Sequence, residues 1–178
     1  MIQKFQSLQN FQRIEWEDLP NYGLYSDQLI SFIEEKLQHY FDEKLLTPSM
    51  INNYVKQQLM PKPLNRKYYR EHLAHLIIIC LLKSLLPIPR IKEGIHLQVR
   101  IMGTEAAYNE FMTILDNSMR EILASLRTED ENNIVFRGFV ANKKNISLTM
   151  AIHAFCFQAI TRNILNMKGI YDEHEPEQ

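Results

Sequence analysis

The segment from Thr47 to Lys92 constrains the fold of this chain more than any other, because it carries three structural signals in a fixed order. Thr47-Pro48 predicts a helix start, since threonine caps a helix N-terminus and proline fits its first turn. The Met-Pro-Lys-Pro sequence at 60–63 cannot continue a helix, so the residues up to Tyr69 could form a small β-ribbon, or wing. Arg70–Leu85 then predicts a second helix, apolar nearly all round and central to the core. This order predicts a winged helix-turn-helix.

The same segment is strongly basic within a chain that is nearly neutral. Its 46 residues hold eight basic side chains and a single acid, Glu71, whereas the whole chain of 178 residues has a formal net charge of −1. The basic residues are Lys56, Lys62, Arg66, Lys67, Arg70, Lys83, Arg90 and Lys92. Such a local positive field is typical of a surface that binds a polyanion. Duplex DNA is therefore the partner that we expect.

The short helix from Thr47 to about Leu59 has a predicted outward face that suits contact with bases. This face carries neutral hydrogen-bonding side chains and one cation, with no carboxylate. Amides can read base edges, adenine in particular, and a lysine can reach guanine or a phosphate. The outward residues are Ser49, Asn52, Asn53, Lys56 and Gln57.

Four further segments show the three-and-four residue spacing of apolar side chains that is typical of helices. An apolar island at 134–140 could be a strand or a buried loop. We therefore expect a mainly α protein. The four segments are about 26–41, 89–102, 104–126 and 147–167.

Gly103 separates two predicted modules. We expect a winged helix-turn-helix domain with an N-terminal extension over 1–102, and a helical region for dimerisation or effector binding over 103–170. The acidic tail at 171–178 is predicted to be disordered.

The helix predicted at 104–126 carries one apolar stripe whose steps resemble a coiled-coil seam. The stripe could be core within the chain or an interface between two chains. We favour a homodimer, because the paired half-sites of duplex DNA reward two-fold symmetry. The last helix also offers more apolar surface than one neighbour can cover. The stripe consists of Phe111, Leu115, Met119, Ile122 and Leu126.

Other functional classes find little support in the sequence. Cys80 and Cys156 lie within apolar segments predicted to be helical, which indicates reduced thiols in the core of a cytoplasmic protein. The longest apolar run has seven residues, too few to cross a bilayer. His72 and His75 are three residues apart on a helix, but no third ligand accompanies them. We expect no catalytic residues, metal site, cofactor or membrane contact, and thus no enzyme.

The stretch from Ser49 to Ile95 carries four features in order. They are a tyrosine in the short helix, a leucine and a proline where the chain leaves that helix, an Arg-x-Tyr element and an Ile-Lys pair. These features resemble the DNA-binding domain of the MerR family of bacterial regulators, which reads DNA with a short helix and clamps phosphates with a wing. The resemblance implies that Asn52, Asn53 and Lys56 face bases or phosphates. It implies that Arg66, Tyr68 and Arg70 hold the backbone. The matching residues are Tyr54, Leu59, Met60, Pro61, Arg66, Tyr68, Leu73, Leu76, Ile79, Leu82, Ile88, Ile91 and Lys92.

The chain departs from the MerR pattern in several places. The usual arginine-tyrosine before Tyr54 is Asn52-Asn53, the glycine before the leucine exit is Gln58, and the wing lacks its common glycine. With the additional segments 16–20 and 24–25, the first hundred residues more closely resemble an uncharacterised bacterial family defined only as a domain of unknown function.

The sequence thus predicts a DNA-binding transcriptional regulator of the MerR-like type. The predicted DNA contacts are Ser49, Asn52, Asn53, Lys56, Lys62, Arg66, Lys67, Tyr68 and Arg70. Two alternatives stay open. One is a protein-interaction module that keeps the fold without operator binding, and the other is a sensor that binds a small-molecule effector between the C-terminal helices.

Overall fold

Helices make up most of the chain in the computed structural model, which describes residues 13–38, 40–41, 43–127, 133–136 and 139–168. The tail predicted to be disordered, 171–178, and the first twelve residues lie outside the described residues. Within these described ranges, a short 3-10 helix, Trp16–Asp18, precedes six α-helices. These are α1 (Ser26–Leu37), α2 (Pro48–Lys56), α3 (Arg70–Leu82), α4 (Ile88–Met102), α5 (Thr104–Ser125) and α6 (Ile146–Asn166).

The mainly α class predicted from the sequence is confirmed, and each predicted helix lies close to its expected position. The start of α2 follows from local chemistry, because Thr47 Oγ1 accepts a hydrogen bond from the Met50 N–H at 3.2 Å. The ten-residue connector from Gln38 to Thr47 separates α1 from α2, so the pair is joined by a longer link than a tight turn.

Helix α3 is the centre of the core, because ten of its thirteen residues are buried. Helices α1, α4, α5 and α6 all pack against it. A single cluster of buried apolar side chains runs through all six helices. The core is therefore continuous across Gly103, whose φ of 83° suits glycine and lets the chain reverse between α4 and α5.

The structure places the predicted dimer stripe inside the single chain. All five of its residues are at most 5% exposed, because α6 lies along α5 and α3 packs against both. An interface between two chains on this stripe would first require α5 and α6 to separate. The buried stripe residues are Phe111, Leu115, Met119, Ile122 and Leu126.

The apolar island at 134–140 is neither a strand nor a buried loop where the structure describes it. Residues 133–136 and 139–140 have no regular secondary structure, and Val135 and Val140 are exposed. Cys80 and Cys156 are confirmed as free thiols in the core, and burial raises the pKa of each to about 12.

Among the described residues, no helix has both the length and the apolar character needed to cross a bilayer.

Candidate nucleic-acid interface

Helix α2 presents a polar face to solvent. Ile51 and Tyr54 are buried and fix its orientation, whereas the four residues predicted to contact DNA on this helix are exposed. The face carries no carboxylate, because α2 and its first turn contain no acidic residue. Its exposed residues are Ser49, Asn52, Asn53 and Lys56.

The exit from α2 is a sharp turn built on an unusual backbone conformation. The Leu59 N–H donates to the Tyr54 carbonyl at 2.9 Å, and the Gln58 N–H donates to the Val55 carbonyl at 3.0 Å. This hydrogen-bonding pattern is the Schellman motif, which places one residue in the left-handed region. That residue is Gln58, with a φ of 57°. Gln58, where the MerR pattern has a glycine, thus occupies a position at which glycine would be unstrained.

The predicted wing is reduced to a single tight turn. Leu64 and Lys67 exchange backbone hydrogen bonds of 3.0 and 2.9 Å around Asn65 and Arg66. Both central residues have positive φ, 50° and 62°, as in a type I′ turn. In the part of the chain that the structure describes, β pairing amounts to this bridge and an isolated one between Leu24 and Tyr68. Arg66 therefore lies at the tip of the turn and is exposed to solvent.

Gly23 allows the turn to lie close against the N-terminal segment. A Cβ atom at this position would come within 2.7 Å of Lys67 Cβ and 2.9 Å of Tyr69 Cζ. Next to it, Leu24 exchanges two 2.8 Å backbone hydrogen bonds with Tyr68. The base of the turn is thus held by backbone pairing and close packing, while its tip extends outward.

The cations on α2 and the turn have no acidic partner. Lys56, Lys62 and Arg66 are exposed, and none of them forms an ion pair with any residue that the structure describes. Lys67 is half-buried, and its Nζ lies 5.4 Å from the centre of the Tyr25 ring. Four positive charges therefore remain available on this part of the chain.

Two residues predicted to contact DNA have other roles in the structure. Tyr68 is only 6% exposed, and its ring packs edge-on against His72. Burial raises the pKa of its phenol. Arg70 donates from Nε to the Leu19 carbonyl at 2.9 Å and lies over the Trp16 ring. Both side chains thus hold the N-terminal segment and the turn to α3, and the structure does not bring them to the exposed face of α2.

The remaining cations of the basic segment contact the protein itself. Lys83 donates from Nζ to the Leu45 carbonyl, which belongs to the connector before α2. Lys92 donates to the Gln57 carbonyl at 2.8 Å and so caps the end of α2. Arg90 forms an exposed ion pair with Glu93 at 2.7 Å. The net charge of the segment therefore overstates the charge that is free to meet a ligand.

His72 has a structural role that the sequence did not reveal. Its Nδ1 accepts a hydrogen bond from the Tyr69 N–H at 2.9 Å, so Nε2 carries the proton and donates to the Lys62 carbonyl at 3.1 Å. The imidazole thereby links the start of α3 to the proline-rich segment 61–63 that precedes the turn. No sequence pattern pairs Lys62 with His72, because a contact of this kind depends on how the chain folds.

Comparison with known proteins assigns the chain to a family but not to an activity. A family model described as "Domain of unknown function (DUF1836)" matches residues 14–111, more than half of the chain. The chain belongs to this family, which confirms the expected membership of an uncharacterised family. The match spans α1 to α4 and the first part of α5. No curated protein and no solved structure matches the chain.

Proposed function

We propose that the protein binds duplex DNA as a MerR-like winged helix-turn-helix regulator, with α2 as the recognition helix and the 64–67 turn as a minimal wing. In this role Asn52 and Asn53 contact base edges, while Lys56, Lys62 and Arg66 neutralise phosphates. Tyr68 and Arg70, which the MerR resemblance assigned to the DNA backbone, act indirectly by holding the wing in place.

The observation that carries this proposal is an exposed polar helix face next to an exposed cationic turn, both without acidic residues. Surface lysines and arginines usually lie among carboxylates that balance them, as Arg120 does with Asp116 in α5 at 2.9 Å. The absence of such balance on α2 and its following turn leaves an exposed positive surface. A convex helix with amides and cations suits the major groove of duplex DNA.

The backbone of this region supports the same interpretation. Of the four non-glycine residues with positive φ among those described, three lie between α2 and α3: Gln58, Asn65 and Arg66. Long side chains in this conformation cost free energy and persist where function favours them. An arginine at the tip of a type I′ turn is such a case, because asparagine-glycine would form the turn at lower cost.

The proposal is tested by selecting the fragments that the protein binds from a pool of genomic duplexes. The affinity for one enriched fragment, labelled with a fluorophore, is then measured by anisotropy. Lys56→Ala and Lys62→Ala should each weaken binding on all sequences and reduce the salt dependence by roughly one released counterion. Lys144→Ala, which removes an exposed charge far along the chain, is the matched control and should change neither. Equal losses in all three variants would contradict a localised interface.

Changes at the amides address base readout separately from affinity. Asn52→Ala or Asn53→Ala should alter the sequences recovered in the selection, because an amide pair to adenine discriminates by about 1–3 kcal/mol. If the recovered sequences stay the same while overall affinity falls, the amides contact the phosphate backbone only. If no duplex is retained at low salt, the alternative of a protein-interaction module takes precedence.

A homodimer remains part of the proposal, although the structure supports a different surface for it. The outer face of α6 exposes Met150 and Phe157, and Phe136 of the preceding loop packs on Phe157 at 5.5 Å between ring centres. Apolar side chains grouped in this way favour a second copy. Light scattering at micromolar concentration should give twice the mass of one chain, and Met150→Glu should reduce it to one. A single-chain mass for the unmodified protein would exclude the dimer.

A further inference from the structure

A cavity of about 140 Å³ lies between α3, α4, α5 and the first turn of α6. Its walls are largely apolar, with Leu82, Ile91, Ile95 and Phe111 among them. The exposed Arg90 also lines it, so the cavity reaches solvent on the α4 side. None of the lining residues belongs to α2, and the site therefore stands whether or not the chain binds DNA.

Gln98 supplies an unsatisfied polar group to this cavity. Its side chain is 6% exposed, and its Oε1 has no hydrogen-bond partner among the described residues. Leaving a buried amide oxygen unpaired costs about 1–3 kcal/mol, so such atoms normally have a partner. Because Oε1 itself is closed off from the cavity, a molecule there would remove this cost by donating to Oε1 once the Gln98 amide turns toward it.

His75 provides a second acceptor on the cavity wall. Its Nδ1 lies 2.7 Å from the Glu71 carbonyl oxygen and must donate to it, which leaves a lone pair on Nε2. Burial lowers the pKa of His75, so the ring is neutral at pH 7. Gln98 and His75 thus each bring a hydrogen-bond acceptor to the set of side chains that line the cavity.

We propose that this cavity binds a small, uncharged, mainly apolar molecule that carries a hydroxyl or another hydrogen-bond donor. A cavity near 150 Å³ with apolar walls accommodates benzene, which sets the size of the apolar part at about one aromatic ring. The donor pairs with Gln98 Oε1 or His75 Nε2. A carboxylate is disfavoured, because burying its charge against largely apolar walls costs free energy, and Arg90 is engaged by Glu93.

Three probes that share one aromatic ring separate these requirements: phenol, benzene and benzoate. Titration of the full chain by calorimetry and by amide chemical shifts should show phenol binding at least about tenfold more tightly than benzene, since one buried hydrogen bond is worth about that factor. Benzoate should bind more weakly than phenol. The shifted amides should belong to α3, α4 and α5.

Two variants test whether binding occurs in this cavity. Gln98→Met keeps the length of the side chain but removes the acceptor. It should lower the affinity for phenol toward that for benzene, and the variant should still fold. Ala151→Leu adds volume at the cavity wall and should abolish binding of both probes. Denaturant unfolding confirms that each variant is folded.

Other outcomes would overturn the proposal. If no probe shifts the amides at millimolar concentration, water alone satisfies Gln98. If benzoate binds best, the site selects anions through Arg90, and if benzene and phenol bind equally, Gln98 does not contribute.

Discussion

The segment from Thr47 to Lys67, comprising α2 and the turn, differs from the α5–α6 pair in how each treats charge and backbone. In the α5–α6 pair, Arg120 is paired with Asp116, and Arg162 donates to the Tyr40 carbonyl at 3.1 Å while it lies over Phe41. In the α2–turn segment the exposed cations have no acidic partner among the described residues. Arg120 and Arg162 are thus engaged within the chain, whereas the exposed cations of the α2–turn segment form no ion pair with a described residue.

The backbone follows the same division. Helices α5 and α6 have regular geometry and bury nearly every large apolar side chain on their facing sides. The α2–turn segment contains three strained non-glycine residues and little regular pairing. The α2–turn segment is therefore expected to open more readily than the α5–α6 pair.

The largest effect is expected from placing a charge on the buried side of α5. Leu115→Glu should unfold the chain or cost more than about 4 kcal/mol, because Leu115 is fully buried and a carboxylate there would have no partner. Leu165→Glu, the same change at an exposed position of α6, is the control and should cost little stability. Urea unfolding followed by circular dichroism measures both. A stable Leu115→Glu variant would show that the α5 stripe is not core.

A smaller effect is expected at the junction of the two regions, where His75 is buried on α3. Because burial lowers the folded pKa of His75 below its unfolded value, the unfolded chain binds the additional proton. Stability is therefore full above about pH 6.5 and falls as the pH drops below it. Neighbouring His72, His96 and Glu71 act on the same group.

Replacing the imidazole isolates its share of this pH dependence. His75→Gln should remove a slope of at most about 1.4 kcal/mol per pH unit, which is the limit for one proton. Urea midpoints between pH 5 and 7 measure it. An unchanged slope would assign the acid sensitivity to other groups.

Arg66→Gly should shift stability and DNA affinity in opposite directions. Glycine relieves the positive φ and completes an asparagine-glycine type I′ turn, so the free energy of unfolding should rise by about 1 kcal/mol. Loss of the guanidinium should weaken binding to duplex DNA. Asn65→Gly is the matched control, since it relieves the same turn without removing a charge and should leave affinity intact. If both variants lose affinity equally, the turn shape matters and the charge does not.

The smallest effect is expected at the exit from α2. Gln58→Gly should stabilise the chain by roughly 0.5 kcal/mol, because relief of the positive φ exceeds the added entropy of the unfolded state. Gln57→Gly, one residue earlier at a φ of −79°, should destabilise it by a similar amount. Thermal denaturation of the two variants side by side measures the difference. If both variants change the stability in the same direction, the assignment of the α2 exit as a Schellman motif is wrong.

The sequence predicted the helices well because their signals are local. Thr47-Pro48 specifies a helix start on its own, and the apolar run in α3 requires burial wherever the chain goes. The exposed face of α2 followed from the same spacing. These predictions needed no knowledge of which element packs against which.

What the sequence could not supply were the partners of individual side chains. Arg70 and Lys92 are cations in the sequence, and only the fold shows that they bond to the carbonyls of Leu19 and Gln57. The α5 stripe had the spacing of an interface, and α6 covers it in the same chain. Contacts between distant residues depend on tertiary packing, which spacing along the chain does not encode.

The dependence of duplex binding on salt concentration tests whether the exposed cations of α2 and the turn neutralise phosphates. If Lys56, Lys62, Arg66 and Lys67 neutralise about four phosphates per chain, the plot of log affinity against log salt should have a slope near −3.6, or about −0.9 for each phosphate. Anisotropy with a labelled duplex between about 50 and 200 mM salt measures it. We expect this steep decline in the unmodified chain and a slope about one unit shallower in Arg66→Gly. A flat dependence, or no binding at about 50 mM salt, would contradict it.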